Sequence, residues 1–353
     1  MQDLKKDMDK LQQSGDDPTS AERKQDHIEL AFRSRVERPE LDTRFSYEPI
    51  LSGHPAAGVI PPSLIGGKTL KAPLWVSSMT GGTAMAGTIN RNLARACSDF
   101  GLGMGLGSCR ALLHSDDTLG DFAVRPVIGP DQPLYANLGI AQVEELISSD
   151  SLGKITRLID KLEADGLIIH VNPLQEWLQP EGDRIQKPPL ESIRSVLEYL
   201  GDMPVIVKEV GQGMGKESLR ALLQLPLAAV DFAANGGTNF ARLELMRSTE
   251  EMQEIYGPLA LVGHSAEEMV DLTNELALEL GERLACRRVI ISGGITNFLD
   301  GYYLVQKSSL TAIYGQASGF LKHARGDYQD LFRYTESVVK GLEMAYAFLS
   351  VKK

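Results

Sequence analysis

Residues 134–172, LYANLGIAQVEELISSDSLGKITRLIDKLEADGLIIHVN, decide the fold class. Two short apolar runs, LYANLG from Leu134 and LIIHVN from Leu167, are separated by SLGKITRLIDKLEAD, whose apolar residues recur at helical spacing. Apolar runs that scarcely alternate with polar residues are typical of parallel strands covered on both faces. The stretch therefore predicts one strand-helix-strand unit of a parallel sheet.

The same pattern recurs along the chain. Eight apolar runs end in small polar residues, glycines or charged residues, and amphipathic helical stretches lie between them. One long interval, Asn239 to Gly263 after the sixth run, has no predicted element. The runs are LWVSSM from Leu74, LGMGLGS from Leu102, LYANLG from Leu134, LIIHVN from Leu167, VIVKEV from Val205, AAVDFAA from Ala228, VIISGG from Val289 and TAIYGQ from Thr311. Eight such units predict an α/β fold closed into a (β/α)8 TIM barrel, because an open doubly wound sheet would begin with a GxGxxG turn that is missing here.

The domain organisation follows from the length and from the polar start of the chain. A length of 353 residues is compatible with one barrel domain. Residues 1–20 are polar and contain a Gly-Asp-Asp-Pro turn, and a short helix over residues 21–32 follows. We therefore expect a polar N-terminal extension, residues 1–20, ahead of a single barrel domain, residues 21–353.

The composition is that of a folded globular protein, with 43% apolar and 24% charged residues. A formal net charge of -11 argues against a nucleic-acid partner, because phosphate binding needs a basic surface. Three cysteines, Cys97, Cys109 and Cys286, have no metal-like spacing and fit a reducing compartment. No apolar segment has the length of a membrane span. We expect a cytoplasmic protein with neither nucleic acid nor membrane as a partner.

The segment HVNPLQE, residues 170–176, follows the fourth predicted strand, and the active site of such a barrel forms where the strands end. His170 and Asn172 share one face of the strand end, because side chains alternate. Gln175 and Glu176 then enter the following loop. The Glu176 carboxylate with a neutral His170 could hold a hard cation such as Mg2+. The alternative is a surface loop capped by the Gln-Glu pair.

Other strand ends have features of an anion site. Gly293-Gly294 and the run from Gly315 to Gly319 let backbone N–H groups approach a phosphate, although glycine-rich turns without a ligand would have the same sequence. Lys208 ends an apolar run, where a buried charge needs a partner. That partner is either an electron-rich group such as a flavin ring or a carboxylate, Glu209 or Asp231.

Basic residues near the N terminus and after the second strand are candidates for a diphosphate clamp. Arg23, Lys24 and His27 lie on the first predicted helix, and Arg110 follows the second strand. Arginine offers bidentate contacts to phosphate and lysine a point charge. A solvated helix face would have the same pattern, so both interpretations stay open.

Taken in order, nine segments of the chain resemble the type 2 isopentenyl-diphosphate isomerases, a family of FMN-dependent barrels. They are RKQDHIELA, APLWVSSMTGGT, GLGSCRALL, ANLGIAQ, HVNPLQEWLQPEGD, PVIVKEVGQGMG, NGGTNF, SGGIT and GQASGFL, and the resemblance extends over nearly the whole chain after Ser20. The resemblance implies interconversion of isopentenyl diphosphate and dimethylallyl diphosphate, in isoprenoid biosynthesis, by a 1,3-proton shift that requires reduced FMN and Mg2+. It also implies NAD(P)H as the reductant and a homo-oligomer, either a tetramer or an octamer.

The resemblance also implies residue roles. Catalysis would involve His170, Asn172, Gln175 and Glu176, and Glu176 would bind Mg2+. The substrate would contact Arg23, Lys24, Ser108, Arg110, His170, Asn172 and Gln175. FMN would contact Met79, Thr80, Gly81, Ser108, Asn137, Lys208, Thr238, Gly293, Gly294, Ala317 and Ser318.

The chain departs from the family pattern at three positions. Thr296 stands where the family commonly has arginine, Ser318 where it often has glycine, and Ala234 where a glycine precedes the GGT segment. The first two departures bear on how the FMN phosphate would be anchored.

Two other functions are kept as alternatives. The first is an FMN-dependent oxidoreductase, either of the 2-hydroxy-acid oxidase type or a dehydrogenase like that of inosine monophosphate. The oxidase would need a His base with Arg partners, a pattern that His264 and His323 do not form. The dehydrogenase would need a nucleophilic Cys in a mobile loop, whereas Cys286 precedes a strand. A catalytically decayed isomerase retained as a flavin-binding scaffold is the second alternative.

Overall fold

The computed structural model describes residues 19–56, 58–78 and 84–352. Almost all of the predicted N-terminal extension therefore lies outside the described residues. The chain divides into two compact units, one that ends at Phe45 and includes Lys352, and one from Ser46 to Val351.

The smaller unit contains one described helix, α1 (Ser20–Leu30), and a 3-10 turn at Arg38–Glu40. Arg23 and Lys24 lie on the exposed surface of α1. Their proposed role at a diphosphate stays a prediction.

The strands and the remaining helices have the following bounds. The strands are β1 (Phe45–Tyr47), β2 (Ser63–Ile65), β3 (Lys68–Leu70), β4 (Leu74–Val76), β5 (Gly103–Gly105), β6 (Leu134–Gly139), β7 (Gly166–His170), β8 (Val205–Lys208), β9 (Ala229–Asp231), β10 (Arg288–Ser292), β11 (Thr311–Gln316) and β12 (Leu349–Val351). The helices are α2 (Ala84–Phe100), α3 (Leu119–Phe122), α4 (Arg125–Ile128), α5 (Ile140–Ser148), α6 (Gly153–Leu162), α7 (Pro173–Leu178), α8 (Pro189–Leu200), α9 (Lys216–Leu223), α10 (Phe240–Met246), α11 (Glu250–Tyr256), α12 (Ala266–Leu280), α13 (Phe298–Lys307), α14 (Ser318–Ala324) and α15 (Tyr328–Phe348). Within the described residues, none of these helices is long and apolar enough to cross a membrane.

Strands β4 to β11 close into a parallel barrel in sequence order, with β11 paired to β4. Each of the eight apolar runs of the sequence contributes one barrel strand, so the predicted (β/α)8 barrel is confirmed. Strands such as β8 are buried on both faces, as their lack of alternation predicted.

The amino ends of the barrel strands are filled by apolar side chains. Trp75 and Tyr135 pack edge to face with ring centroids 5.8 Å apart. Ile65 and Leu70, from the antiparallel β2–β3 hairpin, belong to the same buried cluster and close this end of the barrel. Water is thereby excluded from one end of the barrel, and the polar strand ends lie at the other.

The register of neighbouring strands sets the level of these polar ends. Gly139 pairs with His170, His170 with Lys208, and Lys208 with Asp231. Four adjacent strands thus present these residues at one height, on the side of the barrel where barrel enzymes carry their active sites.

The interval from Asn239 to Gly263, for which the sequence predicted no element, contains two short helices, α10 and α11. Each has a side-chain cap, because the Asn239 side chain accepts the Arg242 N–H and the Thr249 side chain accepts the Met252 N–H. The short segments escaped prediction because their periodic patterns span barely two turns.

Candidate active site

His170 and Asn137 form a hydrogen-bonded pair at the ends of β7 and β6, with Nδ1 of His170 2.9 Å from Oδ1 of Asn137. The Asn137 amide nitrogen donates to the Leu106 carbonyl at 2.9 Å, so its oxygen faces the histidine. The Nδ1 atom of His170 therefore carries the proton, and Nε2 is left as an acceptor. Burial, with the nearby Lys208 charge, lowers the pKa of His170 to about 3 and keeps the ring neutral.

Asn172, Gln175 and Glu176 are joined by one amide group. The Asn172 side-chain nitrogen donates to Oε1 of Glu176 at 3.0 Å and to Oε1 of Gln175 at 3.1 Å. Pro173 begins α7 directly after Asn172, and this helix places Gln175 and Glu176 on the turn that faces the asparagine. The structure thus brings three of the predicted catalytic side chains together, which a capped surface loop would not require.

The buried Glu176 carboxylate is held on both oxygens. Its Oε2 accepts the backbone N–H of Asp183 at 2.8 Å. Asp183 in turn forms an ion pair with Arg110 at 2.7 Å and accepts a hydrogen bond from Gln142 at 2.9 Å. Arg110, predicted as a substrate contact, is thereby tied to the loop that supports Glu176.

Glu244, a residue that sequence reasoning missed, lies next to the predicted catalytic residues. Only 3% of its surface is exposed, and its Oε1 lies 3.4 Å from the Gln175 amide nitrogen. It belongs to α10, in the interval where no helix was predicted. The NGGTNF segment at the start of this helix was the signal that could have pointed to Glu244, because it places the beginning of the interval at a strand end, where the active site forms.

Lys208 is 8% exposed, and its ammonium group donates to the Glu209 backbone carbonyl at 2.8 Å. Burial lowers the pKa of Lys208 and raises that of Asp231, while their opposite charges partly offset both shifts. The Glu209 carboxylate is taken up instead by the backbone N–H groups of residues 211, 212 and 213. Lys208 thus makes no close ion pair with the Glu209 carboxylate in the described residues. Asp231, the other carboxylate considered as its partner, lies on the neighbouring strand in register with Lys208, and its charge acts to raise the pKa of Lys208.

A cavity of about 360 Å3 opens beside Lys208 among the ends of β4, β9, β10 and β11. Its lining includes six residues predicted to contact FMN: Lys208, Thr238, Gly293, Gly294, Ala317 and Ser318. Gly293 has a φ of 93°, and a Cβ there would lie 2.0 Å from the Ala234 carbonyl oxygen, so only glycine fits this wall.

Several buried polar atoms around this cavity have no hydrogen-bond partner in the described residues. They are the hydroxyls of Ser77 and Ser78, which line it, and Oδ2 of Asp231, whose other oxygen accepts the Ser292 hydroxyl. Buried polar groups are ordinarily satisfied, so their presence indicates that this region receives a polar ligand.

The departure at Thr296 has a structural counterpart. Its backbone N–H and its hydroxyl both donate to the Asp300 carboxylate, at 3.1 and 2.5 Å. Thr296 therefore stabilises the turn into α13, and unlike the arginine of the family pattern it brings no cation to the cavity that it lines together with Lys208.

Some predicted site residues are not tested by this arrangement. Met79, Thr80 and Gly81 lie outside the described residues. Ser108 is exposed next to the buried Cys109. No group of three or more His, Cys, Asp or Glu side chains converges as a metal site in the described part of the chain.

The two histidines considered for an oxidase lie elsewhere. His264 contacts Glu268 at 2.8 Å, and His323 stacks on Tyr334 with ring centroids 4.4 Å apart. Neither lines the 360 Å3 cavity. Neither of these two histidines is therefore placed as the base that the oxidase alternative would need.

Comparison with known proteins gives relatives that cover almost the whole chain, although no family model matches it. The isopentenyl-diphosphate delta-isomerase of Rickettsia peacockii (strain Rustic) is 36% identical over 330 residues, 92% of each chain. The protein of the same name from Rickettsia africae (strain ESF-5) is 37% identical over 310 residues, 86% of each chain.

Solved structures show the fold at lower identity. A mandelate oxidase variant with a monooxide FMN adduct superposes with a TM-score of 0.55 at 15% identity, covering 88% of each chain. The recombinant flavin-binding domain of baker's yeast flavocytochrome b2 gives 0.56 at 12% identity, covering 86% of this chain and 72% of that one. The barrel architecture is thus shared with these proteins.

Proposed function

The chain belongs to the isopentenyl-diphosphate delta-isomerase family, and we propose that it interconverts isopentenyl diphosphate and dimethylallyl diphosphate with FMN and Mg2+ at the carboxyl end of its barrel. The observation that carries the proposal is the hydrogen-bonded group of Asn172, Gln175 and Glu176. It lies at the end of the strand that pairs in register with Lys208, which lines the 360 Å3 cavity.

The residues around this cavity fit FMN. The hydroxyls of Ser77 and Ser78, which have no partner among the residues that the structure describes, offer hydrogen bonds, and Lys208 offers a cation to an electron-rich ring. The glycine wall at Gly293 and Gly294 lets backbone groups approach a phosphate without Cβ obstruction. Reduced FMN, when bound, supplies a group that can carry a proton to and from an alkene.

A Mg2+ ion fits the donor set around Glu176. Mg2+ is usually held by one or two carboxylates and completes its shell with water and substrate phosphate oxygens, so a cluster of three protein ligands is not required. The buried Oδ1 of Asn172 has no hydrogen-bond partner in the described residues, and it belongs to the amide whose nitrogen contacts the Glu176 carboxylate, so it is a candidate second oxygen ligand. The ion would neutralise the diphosphate and anchor it in an acidic protein.

The protein's own side chains then have separate tasks. Neutral His170 presents Nε2 as an acceptor and brings no charge to the site. The Gln175 amide, fixed between Asn172 and Glu244, would orient the alkene. The buried apolar cluster below these groups would close the site to water from the amino end of the barrel.

We extend the proposal to the setting of the enzyme. NAD(P)H would supply the reducing equivalents, and the protein would act in the cytoplasm as a homo-oligomer, a tetramer or an octamer. Exposed apolar side chains such as Met246, Leu261 and Val262 support a subunit contact. Light scattering on the purified protein distinguishes these assemblies from a monomer.

A spectrum and a substrate comparison test the proposal. The purified protein, supplied with FMN, should show bound oxidised flavin that bleaches with NAD(P)H or dithionite. In the reduced state it should isomerise isopentenyl diphosphate when Mg2+ is added. Oxidation of a 2-hydroxy acid by the bound flavin would replace the proposal with the oxidase function, and bound flavin with neither activity would favour a scaffold.

A further inference from the structure

We propose that Arg247 is a positioning residue of this site, which sets the orientation of the Gln175 amide by acting through Glu244. The two residues are joined through an uninterrupted series of polar contacts. Arg247 Nη1 lies 2.6 Å from Oε2 of Glu244, and Oε1 of Glu244 faces the Gln175 amide nitrogen at 3.4 Å.

The donors and acceptors of this series have one consistent direction. Ionised carboxylate oxygens only accept, so Glu176 fixes the nitrogen of the Asn172 amide toward itself. The same Asn172 nitrogen then requires the oxygen of Gln175 on its side. The Gln175 nitrogen is thereby directed at Glu244, which completes the arrangement.

Glu244 can play this part because Arg247 compensates its charge. A carboxylate that is only 3% exposed is costly unless it is paired and hydrogen-bonded. Arg247 binds one oxygen of this carboxylate and leaves the other to Gln175. Without the guanidinium group, the Glu244 carboxylate would reorient, and the Gln175 amide would lose the acceptor that prevents its rotation.

Arg247 itself does not touch the predicted catalytic residues. It follows α10 as its C-terminal cap, and its Nη2 lies 3.7 Å from Glu181, on the loop after α7. Both partners of this second contact are more than half exposed, so it contributes little. The effect of Arg247 on the site therefore passes through Glu244.

The test compares Arg247→Met, Arg247→Lys and the control Arg242→Met, which makes the same chemical change at an exposed position of the same helix. For the holoenzyme, we expect Arg247→Met to lower kcat by about tenfold to a hundredfold, the usual cost of removing a supporting partner. KM for isopentenyl diphosphate and the Kd for FMN should change less than about twofold. Arg247→Lys should restore most of kcat, and Arg242→Met should match the wild type.

A double-mutant cycle shows whether the effect passes through Glu244. Arg247→Met should add nothing to Glu244→Gln, because the charge that Arg247 compensates is then gone. Multiplicative losses in the double variant, or a kcat of Arg247→Met equal to that of Arg242→Met, would overturn the proposal. If Arg247→Met does not fold, Arg247→Lys and Glu244→Gln still test the contacts of Arg247 and Glu244 through their effect on kcat.

The kinetic measurements rest on the proposed isomerase function. A crystal structure of Arg247→Met tests the positioning role independently of that function. In Arg247→Met, Oε1 of Glu244 should withdraw from the Gln175 amide nitrogen. An unchanged contact in that crystal structure would refute the positioning role even for an active isomerase. If the wild-type protein has no isomerase activity but the contact is lost in the crystal structure of Arg247→Met, the proposed function alone would be refuted.

Discussion

At the scale of single residues, His170 shows how the barrel decides the charge of a side chain. Its ring lies at a strand end between Asn137 and Lys208, where burial and a neighbouring cation both oppose protonation. A histidine in this state accepts hydrogen bonds at Nε2 and cannot act as a cation toward a diphosphate. The diphosphate would therefore depend on Mg2+ and on arginine or lysine side chains.

The neutral His170 has a consequence for stability against pH. The pKa of His170 is lowered from 6.5 to about 3, so between these values the unfolded chain binds a proton that the folded chain does not. Stability should thus fall as the pH falls from about 6.5 toward 3, and His170→Gln should lose less stability over that range. Melting temperatures of both proteins from pH 4 to pH 7 measure this, and parallel curves would contradict it.

Glu176 and Lys208 have separate predicted tasks, which substitutions can distinguish. Glu176→Gln removes the carboxylate that would bind Mg2+, so turnover should fall by at least about a hundredfold while flavin affinity is retained. The measurements are the Mg2+ dependence of the rate and the Kd for FMN. Loss of FMN from Glu176→Gln would contradict the separation of the two sites.

Lys208→Met should have the opposite effect. Loss of its charged contact should weaken FMN binding by about 1.5 to 3 kcal/mol, measured from quenching of flavin fluorescence. The variant also leaves Asp231 without its neighbouring cation, so Lys208→Met/Asp231→Asn is the control for a folding defect. Wild-type affinity in both variants would count against a role of Lys208 at the flavin.

At the scale of elements, the junction of β6 and α5 determines where His170 can lie. Gly139 ends β6, and a Cβ there would lie 2.9 Å from Nε2 of His170 and 2.4 Å from Oε1 of Gln142. Since Gly139 has an ordinary φ of -76°, any cost of a side chain arises from this contact and not from backbone strain.

Gly139→Ala should therefore displace the His170 ring and lower activity, with a loss of stability of about 1 to 3 kcal/mol from overpacking. Gly153→Ala is the matched control, because the nearest atom to its added Cβ is the Tyr199 hydroxyl at 3.6 Å. Urea unfolding and the isomerase rate of both variants provide the comparison. Equal behaviour of the two variants would show that the pocket around His170 adapts.

The sequence predicted the barrel strands well and the interval after the sixth strand poorly, for a physical reason. The strands of the barrel are continuous apolar runs such as VIVK in β8, and burial on both faces leaves that pattern in the sequence. Helix α10 has only seven residues and draws its stability from tertiary packing of Ala241 and Leu245 against Leu178. Glu244 was missed with it, because its meaning depends on a contact with Gln175 that is distant in sequence.

At the scale of the whole molecule, the polar ends of strands far apart in sequence meet because the barrel closes between β11 and β4. The sequence could place Lys208 and Gly293 at strand ends, but only closure shows that they line one cavity. The hydrogen bonds among the site residues could not be predicted from the sequence, since they depend on the directions of side chains at the carboxyl ends of the strands. The part played by α1, with Arg23 and Lys24, stays a prediction.

Ligand binding at this cavity should stabilise the whole barrel. FMN at about one hundred times its Kd should raise the unfolding free energy by roughly 2.7 kcal/mol, because only the folded barrel binds it. Thermal melts of the apoprotein with increasing FMN measure this effect. An unchanged melting temperature at saturating FMN would contradict a flavin site in the barrel.

The proposed isomerase function is tested most directly by the rate of dimethylallyl diphosphate formation from isopentenyl diphosphate under anaerobic conditions. It is measured with oxidised or reduced FMN, and with Mg2+ or a chelator. Product is expected only when reduced FMN and Mg2+ are present together. Absence of product from a protein that has bound reduced FMN, Mg2+ and substrate would contradict the proposed function.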